Sequence, residues 1–402
     1  MAEVVIIGGG ASGMAAAIAA AERGEHHVTL IERQARVGRK LLSTGNGRCN
    51  ITNIGAGIAN YHGENPDFAR YALESWTSEQ VLDFFAGLGL MTVTEYGGRV
   101  YPLSNQASSV LDVLRFALEK PNISLIAGAT VDSVRRKGSG FIVGCEGESI
   151  YCDKLIVACG GCAGSKLGGV MDGYNLLKSL GHSRTALYPS LTQVRTKPEI
   201  PRSMKGVKVQ AGVKAIKGKK LLSEGSGDLL FADNGVSGTV VFEISRSVAK
   251  AGEGVSLEID FFENLDKGGV KRYLYARREA RNGAAVKEIF SGALHSRVGM
   301  ALCKYAGINP EKICGELSAG EMDALASASK ALRLEVTGVS GFESAQVTAG
   351  GISTAEFNPK TMESRIVPGL YACGEVLDID GDCGGYNLQW AWASGLLAGG
   401  SV

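Results

Sequence analysis

The chain carries almost no charge imbalance: 42 Lys and Arg against 41 Asp and Glu leave +1 over 402 residues. Counterion-release binding needs Lys and Arg in excess on one face, so no nucleic-acid or anionic-membrane surface is expected, and a small-molecule substrate is. Histidine is scarce at five residues, H-E-x-x-H is absent, and the single C-x-x-C, Cys159 to Cys162, has no second half. These absences argue against a structural or catalytic metal. Nine cysteines, an odd number at irregular spacing without a leader, predict a reduced, cytoplasmic protein instead of a disulfide framework. Membrane spans are also missing from the expectation. Residues 4–21 are uncharged but hold four glycines and Ser12 and follow Glu3, whereas residues 384–402 carry Asn387, Gln389 and repeated glycine that lipid would leave unpaired. No fixed-period repeat and no low-complexity linker interrupts the sequence.

Glycine, in contrast, is plentiful at 56 residues, so an isolated glycine motif means little. Gly8, Gly10 and Gly13 are not isolated. They form G-x-G-x-x-G directly after the apolar run 4–7, precede an Ala-rich helix predicted over 11–23, and are followed by a second apolar run, 28–31, that ends in Glu32. Strand, tight turn, helix and acid in that order form a dinucleotide site: Gly8 for the turn, Gly10 for backbone approach to a pyrophosphate, Gly13 for close helix packing, and Glu32 for ribose hydroxyls. The helix start adds unpaired N–H groups and the positive end of its dipole.

Beyond Glu32 the pattern predicts a long loop, helices over 66–75, 78–88 and 107–120, and short strands over 91–96 and 99–101. A β-meander is predicted over 123–151, and a buried parallel strand over 155–158 ends in Cys159, Gly160 and Gly161. From about residue 191 the texture changes to a hairpin over 204–220, with Lys208, Lys214, Lys217, Lys219 and Lys220 on a wet face that also admits an anion-binding reading. Strand-like runs follow at 229–231, 239–244 and 255–260. Helical periodicity then covers 267–331, with Arg272, Arg277, Arg278 and Arg281 on an exposed face, before a strand over 332–338. That order predicts an insertion. The domains are expected at 1–190 with 345–402, at 191–265 with 332–344 as an inserted β domain, and at 266–331 as a helical subdomain.

The far end discriminates between cofactors. An apolar strand over 369–376 ends in Gly374 and Glu375, where a carboxylate meets a sugar-like polyol. A Gly- and Asp-rich loop over 378–385 then leads into a helix over 386–397, whose start suits a developing negative charge. In the sequence these segments read G-L-Y-A-C-G-E-V-L-D-I-D-G-D-C-G-G-Y-N-L-Q from Gly369. With V-V-I-I-G-G-G-A-S-G from Val4, G-R-K-L-L-S-T-G-N-G-R-C-N-I-T-N from Gly38, G-R-V-Y-P-L-S from Gly98 and V-T-A-G-G-I from Val347, they resemble the BaiN-like flavoproteins, also labelled aminoacetone-oxidase-like FAD-binding enzymes.

The resemblance implies an α/β fold: a discontinuous Rossmann-type FAD domain with an inserted antiparallel, barrel-like β domain carrying a helical subdomain. It implies that Gly8, Gly10, Ala11, Ser12 and Gly13 hold the pyrophosphate and that Glu32 and Arg33 hold the adenosine ribose. Gly38, Lys40, Leu41 and the loop Gly45, Asn46, Gly47, Arg48, Cys49 and Asn50 run along the cofactor. Cys159, Gly160 and Gly161 back the adenine side, Gly374 and Glu375 meet the ribityl chain, and Gly385, Tyr386, Asn387 and Leu388 approach the flavin ring. Two departures stand out: Cys159-Gly160 replaces a family Thr-Gly, and Asp233-Asn234 replaces a Thr-His before Gly235.

Flavin supplies the redox step, so the protein is left to orient, polarise and exclude water. Arg48, Cys383 and Tyr386 are the candidate catalytic residues, each with a plainer alternative as a loop or wall residue. Arg99, Asp378 and Asp382 are further polar candidates, and Cys159 with Cys162 is better explained by cofactor packing than by disulfide chemistry. The expected function is FAD-dependent reduction of an unsaturated carbonyl, such as a steroid-like 3-oxo enone. NADH or NADPH is the transient reductant, because no second complete G-x-G-x-x-G exists. Alternatives are an O2-using amine oxidase, a flavin-binding sensor without turnover, and an NAD-only dehydrogenase.

Overall fold

The computed structural model describes residues 1–22 and 24–402. They form two compact units, Met1–Tyr188 with Gln346–Val402, and Pro189–Ala345. The first unit is built on a five-stranded parallel sheet in the order Leu370–Ala372, Lys154–Val157, Ala2–Ile7, His26–Glu32, Ile123–Ala127. Val4 to Ile7 and Leu155 to Val157 are buried without the alternation of a half-wet strand, as a parallel sheet covered on both faces requires. Helix Ala11–Ala21 covers one strand end, and its predicted extension to residue 23 reaches outside the described residues. Against it lies the C-terminal helix Tyr386–Gly399, where Cβ atoms at Gly395 and Gly399 would sit 2.4 and 2.2 Å from the carbonyl oxygens of Ser12 and Ala16. The two helices therefore approach backbone to backbone, and the N- and C-terminal segments share one core.

The second unit is a closed six-stranded barrel in the order Val194–Thr196, Gly235–Ser237, Lys220–Ala232, Lys208–Lys217, Val255–Asp260, Leu332–Val339. Helices Lys267–Ala280, Ser296–Tyr305 and Ala319–Lys330 share its hydrophobic core through Val270, Leu274, Leu302 and Leu325.

The structure departs from the sequence expectation in several elements. The run at 239–244 is helical, part of Thr239–Ala251: its β-branched residues resemble a strand, but Val240, Val241, Ile244 and Val248 are buried at helical spacing. The 123–151 meander is divided. Ile123–Ala127 leaves it to pair in parallel with His26–Glu32, and only Val131–Lys137, Gly140–Cys145 and Glu148–Cys152 form an antiparallel sheet. The 229–231 run is the end of a strand beginning at Lys220, which pairs with Lys208–Lys217. On that hairpin Lys208 pairs with Asp228 and Lys214 with Glu224 across the strands, whereas Lys217 donates to the Ala251 carbonyl at 2.8 Å. Arg272 and Arg281 are exposed, whereas Arg277 and Arg278 are half-buried, and Arg278 donates to the Leu317 carbonyl at 3.0 Å.

The first unit also contains a buried polar knot. His182 Nδ1 lies 2.7 Å from Glu356 Oε2, its Nε2 lies 3.0 Å from Ser364 Oγ, and its ring stacks on Phe357 at 4.6 Å. Burial holds the imidazole below its ordinary value of 6.5. Burial pushes the Glu356 carboxyl up, but hydrogen bonds from Ser183 and His182 outweigh it and leave the group lowered. Both shifts act in the same direction. The unfolded chain takes up the histidine proton first, so stability from this knot is whole above the ordinary imidazole value, declines as pH falls through it, and declines further through the carboxylate range. Thermal unfolding at about pH 7.5 and about pH 5.5 should show a fall in midpoint that His182→Gln reduces; an equal fall in both proteins would remove the assignment.

Candidate functional site

The glycines of the first turn are distinguished by what surrounds them. Gly8 has φ of +110°, and a Cβ there would lie 2.5 Å from the Ala158 carbonyl oxygen. At Gly13 a Cβ would lie 1.8 Å from the Gly8 carbonyl oxygen, so the helix is seated on the strand end by the absence of a side chain. Gly10 is the opposite case: its φ is −81°, and no described atom lies within 4 Å of its Cβ position. Ala11 and Ser12 open the helix, and no side chain among the described residues caps it. Glu32 Oε2 accepts the Gly9 N–H and Oε1 accepts the Gln34 N–H, both at 2.7 Å, and the neighbouring Arg33 is exposed.

Opposite this turn, Gly38 donates its N–H to the Gly9 carbonyl at 2.9 Å, and Leu41 is buried. Lys40 reaches Glu375, Nζ to Oε2, at 2.8 Å, while Glu375 Oε1 accepts the Thr348 N–H at 2.7 Å. The Gly161 Cβ position is 2.6 Å from the same Oε1. A Cβ on Gly374 would sit 2.5 Å from Ser12 Oγ. Thus Ser12, Lys40, Gly161, Gly374 and Glu375, drawn from separate parts of the sequence, are brought together.

The loop continuing from Leu41 turns on positive φ angles at Gly45, Asn46, Gly47 and Cys49. It delivers Asn50 to the start of the C-terminal helix, where the Gly385 Cβ position is 3.0 Å from Asn50 Oδ1. That amide oxygen is buried and has no hydrogen-bond partner among the described residues. Gly385 takes φ of +105°, and no described side chain caps the helix beginning at Tyr386. The Asn387 side chain closes the preceding loop, accepting the Gly381 N–H and donating to the Gly381 carbonyl, each at 2.8 Å. Leu388 is half-buried. Tyr61 donates its hydroxyl to the Tyr386 carbonyl at 3.0 Å and meets the Tyr386 ring edge-on at 6.4 Å.

The candidate reactive groups have different surroundings. The Arg48 guanidinium is committed to Glu95 and Asn105 and lies 3.9 Å above the Tyr101 ring, and the Glu95 hydrogen bond holds its proton more firmly. Cys383 and Tyr386 are half-buried beside the glycine turn. Burial pushes Cys49 and Cys159 up to about 12 and also raises Cys162, whose Sγ is 3.7 Å from Thr348 Oγ1. None of the described cysteines is in a disulfide, and these thiols remain protonated at neutral pH. The sequence reading missed Thr348, although it lies in the V-T-A-G-G-I segment. It also missed His62, whose Nε2 lies 2.7 Å from Asp382 Oδ1 across the ladder joining Tyr61–His62 to Asp380–Gly381. No helix among the described residues is long and apolar enough to cross a membrane.

Known proteins share both the sequence and the fold. The model of a family described as HI0933-like protein Rossmann domain matches residues 2–401. A 3-dehydro-bile acid delta(4,6)-reductase from Clostridium scindens is 38% identical, with 99% of this chain and 98% of the relative covered. A ribosomal RNA dihydrouridine synthase from Escherichia coli is 32% identical over 98% of this chain and 96% of its own. Among solved structures, a 3-ketosteroid delta1-dehydrogenase from Sterolibacterium denitrificans matches with TM-score 0.52 at 12% identity, covering 99% of this chain and 98% of that one. A quinol fumarate reductase chain from E. coli matches with TM-score 0.51 at 15% identity, covering 99% and 69%. These two establish likeness of fold. With the split Rossmann domain and the full-length match, the chain belongs to the HI0933-like family and is an FAD-dependent oxidoreductase.

Proposed function

We propose that this protein reduces a carbon–carbon double bond conjugated to a carbonyl, with NADH or NADPH as a transient reductant. One observation carries the reading. The relatives' names describe the same chemistry on different molecules: a 4,6-diene beside a 3-oxo group in the bile acid, and the uracil C5=C6 bond beside its C4 carbonyl in dihydrouridine formation. When bound, FAD supplies the acceptance and delivery of hydride at N5.

The residues present fit that group. Open space at Gly10 and the uncapped helix Ala11–Ala21 support pyrophosphate binding by backbone N–H groups at Ala11, Ser12 and Gly13. Glu32 has acceptor capacity left for a ribose hydroxyl after its two backbone bonds, and Arg33 lies beside it. Glu375, fixed by Lys40 and Thr348, suits the polyol, with Gly38, Leu41, Cys159, Gly160, Gly161 and Gly374 along the cofactor. The unpaired buried oxygen of Asn50 supports a polar partner beside Gly385. The start of the helix at Tyr386, Asn387 and Leu388 would stabilise negative charge on the ring by about 0.3–2 kcal/mol, enough to tune a potential. Arg48, tied to Glu95, suits a wall better than a reacting cation; Gly45, Asn46, Gly47 and Cys49 suit the wall with it, and Cys383 and Tyr386 suit positions beside the ring.

A second reading places uracil within RNA as the substrate. The E. coli relative and a Haemophilus influenzae ribosomal RNA dihydrouridine synthase, 29% identical over 98% of this chain, favour it; the charge balance of +1 favours the small enone. Anaerobic bleaching of the holoenzyme by NADPH or NADH, followed by reoxidation, decides the matter. Reoxidation by a 3-oxo-4-ene steroid supports the small-molecule substrate, and by uridine-containing ribosomal RNA the second. Bleaching by an amine with peroxide formed in air contradicts both.

A further inference from the structure

Conjugate reduction leaves one task unassigned. Hydride arrives at the β carbon, and the α carbon needs a proton from a group near the reacting ring. Several polar groups near the start of the C-terminal helix are committed elsewhere. The Tyr61 proton is given to the Tyr386 carbonyl, and burial pushes that phenol up. The Arg48 guanidinium is occupied by Glu95 and Asn105, and the buried Cys49 thiol is pushed up to about 12.

His62 differs in three respects. Its strand, Tyr61–His62, pairs with Asp380–Gly381 in the loop that runs directly into Gly385, with His62 opposite Asp380. The alternation of that strand buries Tyr61 against Tyr386 and leaves the His62 side chain 37% exposed. Its Nε2 is held 2.7 Å from Asp382 Oδ1, and the same carboxylate accepts from Asn60 Nδ2 at 3.2 Å. A carboxylate that fixes one ring nitrogen orients an imidazole for proton transfer through the other. The remaining histidines are remote from this arrangement in role: His182 is buried between Glu356 and Ser364, His26 and His27 begin a strand of the parallel sheet, and His295 caps helix Ser296–Tyr305.

We propose that His62, oriented by Asp382, is the proton donor to the substrate's α carbon. This rests on the conjugate-reduction reading. The β carbon gains a hydrogen with its electron pair from the reduced cofactor, the π pair of the C=C bond moves to the α carbon, and that carbon takes the proton from Nδ1 of His62 as the N–H bond breaks and leaves its pair on nitrogen. Two electrons pass from cofactor to alkene. The ring nitrogen regains its proton from solvent, which the exposure of His62 permits.

The test compares wild-type and His62→Gln holoenzymes, each reduced anaerobically with NADPH and then mixed with a 3-oxo-4-ene steroid or with uridine in ribosomal RNA, in D2O. The variant should retain its FAD and its rate of reduction by NADPH, whereas reoxidation by substrate should slow about 100-fold or more. Added imidazole should restore it, with deuterium at the α carbon of the product. Asp382→Asn, which keeps the ring but loses its anchor, should fall between the two and serves if His62→Gln does not hold FAD. Reoxidation of the variant at the wild-type rate overturns the donor role, as does a slow variant that imidazole fails to rescue. A wild-type enzyme that neither compound reoxidises overturns the reduction reading itself, and His62's role with it.

Discussion

Gly10→Val is expected to abolish FAD binding without unfolding the protein. The backbone at Gly10 has φ of −81° and ψ of −170°, a conformation valine adopts readily, and its Cβ position touches no described atom. The branched side chain would instead project over the helix start proposed to meet the pyrophosphate. A filled approach keeps the pyrophosphate from those N–H groups, and the binding they supply is lost with it. The variant should therefore elute as folded, colourless protein with a thermal midpoint close to that of wild-type apoprotein. A yellow variant with wild-type FAD affinity would place the phosphates elsewhere.

Gly13→Ala, three residues on, should fail for the opposite reason. Its Cβ would lie 1.8 Å from the Gly8 carbonyl oxygen, a backbone atom that cannot rotate away. Strand and helix must separate, and overpacking of this kind costs about 1–3 kcal/mol and occasionally more. Because the same helix packs on Tyr386–Gly399 through Gly395 and Gly399, the disturbance reaches the other half of the unit. A lowered thermal midpoint in the apoprotein is the expected result. An apoprotein as stable as wild type, with only FAD binding reduced, would show that Gly13 serves the ligand and not the fold. The two variants thus separate two uses of glycine within one motif.

What the sequence made legible was local. Gly8 to Gly13 and Glu32 were readable because turn, helix packing and acid lie within one strand–helix–strand unit, whose physics depends on near neighbours. The apolar run before Gly374 and Glu375 was readable as a strand, but the strand is only Leu370–Ala372, and Gly374–Val376 forms a single helical turn after it. Thr239–Ala251 misled because valine and isoleucine favour strands when counted by type, whereas the burial of Ile244 and Val248 obeys a helical period. Lys220–Ala232 was hidden by Ser223, Gly225, Ser226 and Gly227, which are poor strand formers that the barrel nevertheless recruits. Ile123–Ala127 alternates like its antiparallel successors, and only its parallel partner His26–Glu32 tells it apart.

The site showed the same division. Lys40 and Glu375 were both singled out, but not their ion pair, because contact between segments so far apart in sequence has no local signature. Arg48 looked reactive as a cation in a glycine-rich loop, until Glu95 and Asn105 were found on its guanidinium. His62 had no motif around it at all; what marks it is Asp382, brought alongside by a two-residue ladder. Side chains whose meaning depends on a distant partner are the ones a linear reading loses.

The account depends most on one FAD held by the first and last segments of the chain together. Titrating the apoprotein with FAD, followed by quenching of flavin fluorescence, tests this directly. Saturation at one FAD per chain, lost in Gly10→Val and weakened in Glu375→Gln, is the predicted result. An apoprotein that takes up no FAD, or one whose affinity is indifferent to both substitutions, would contradict it.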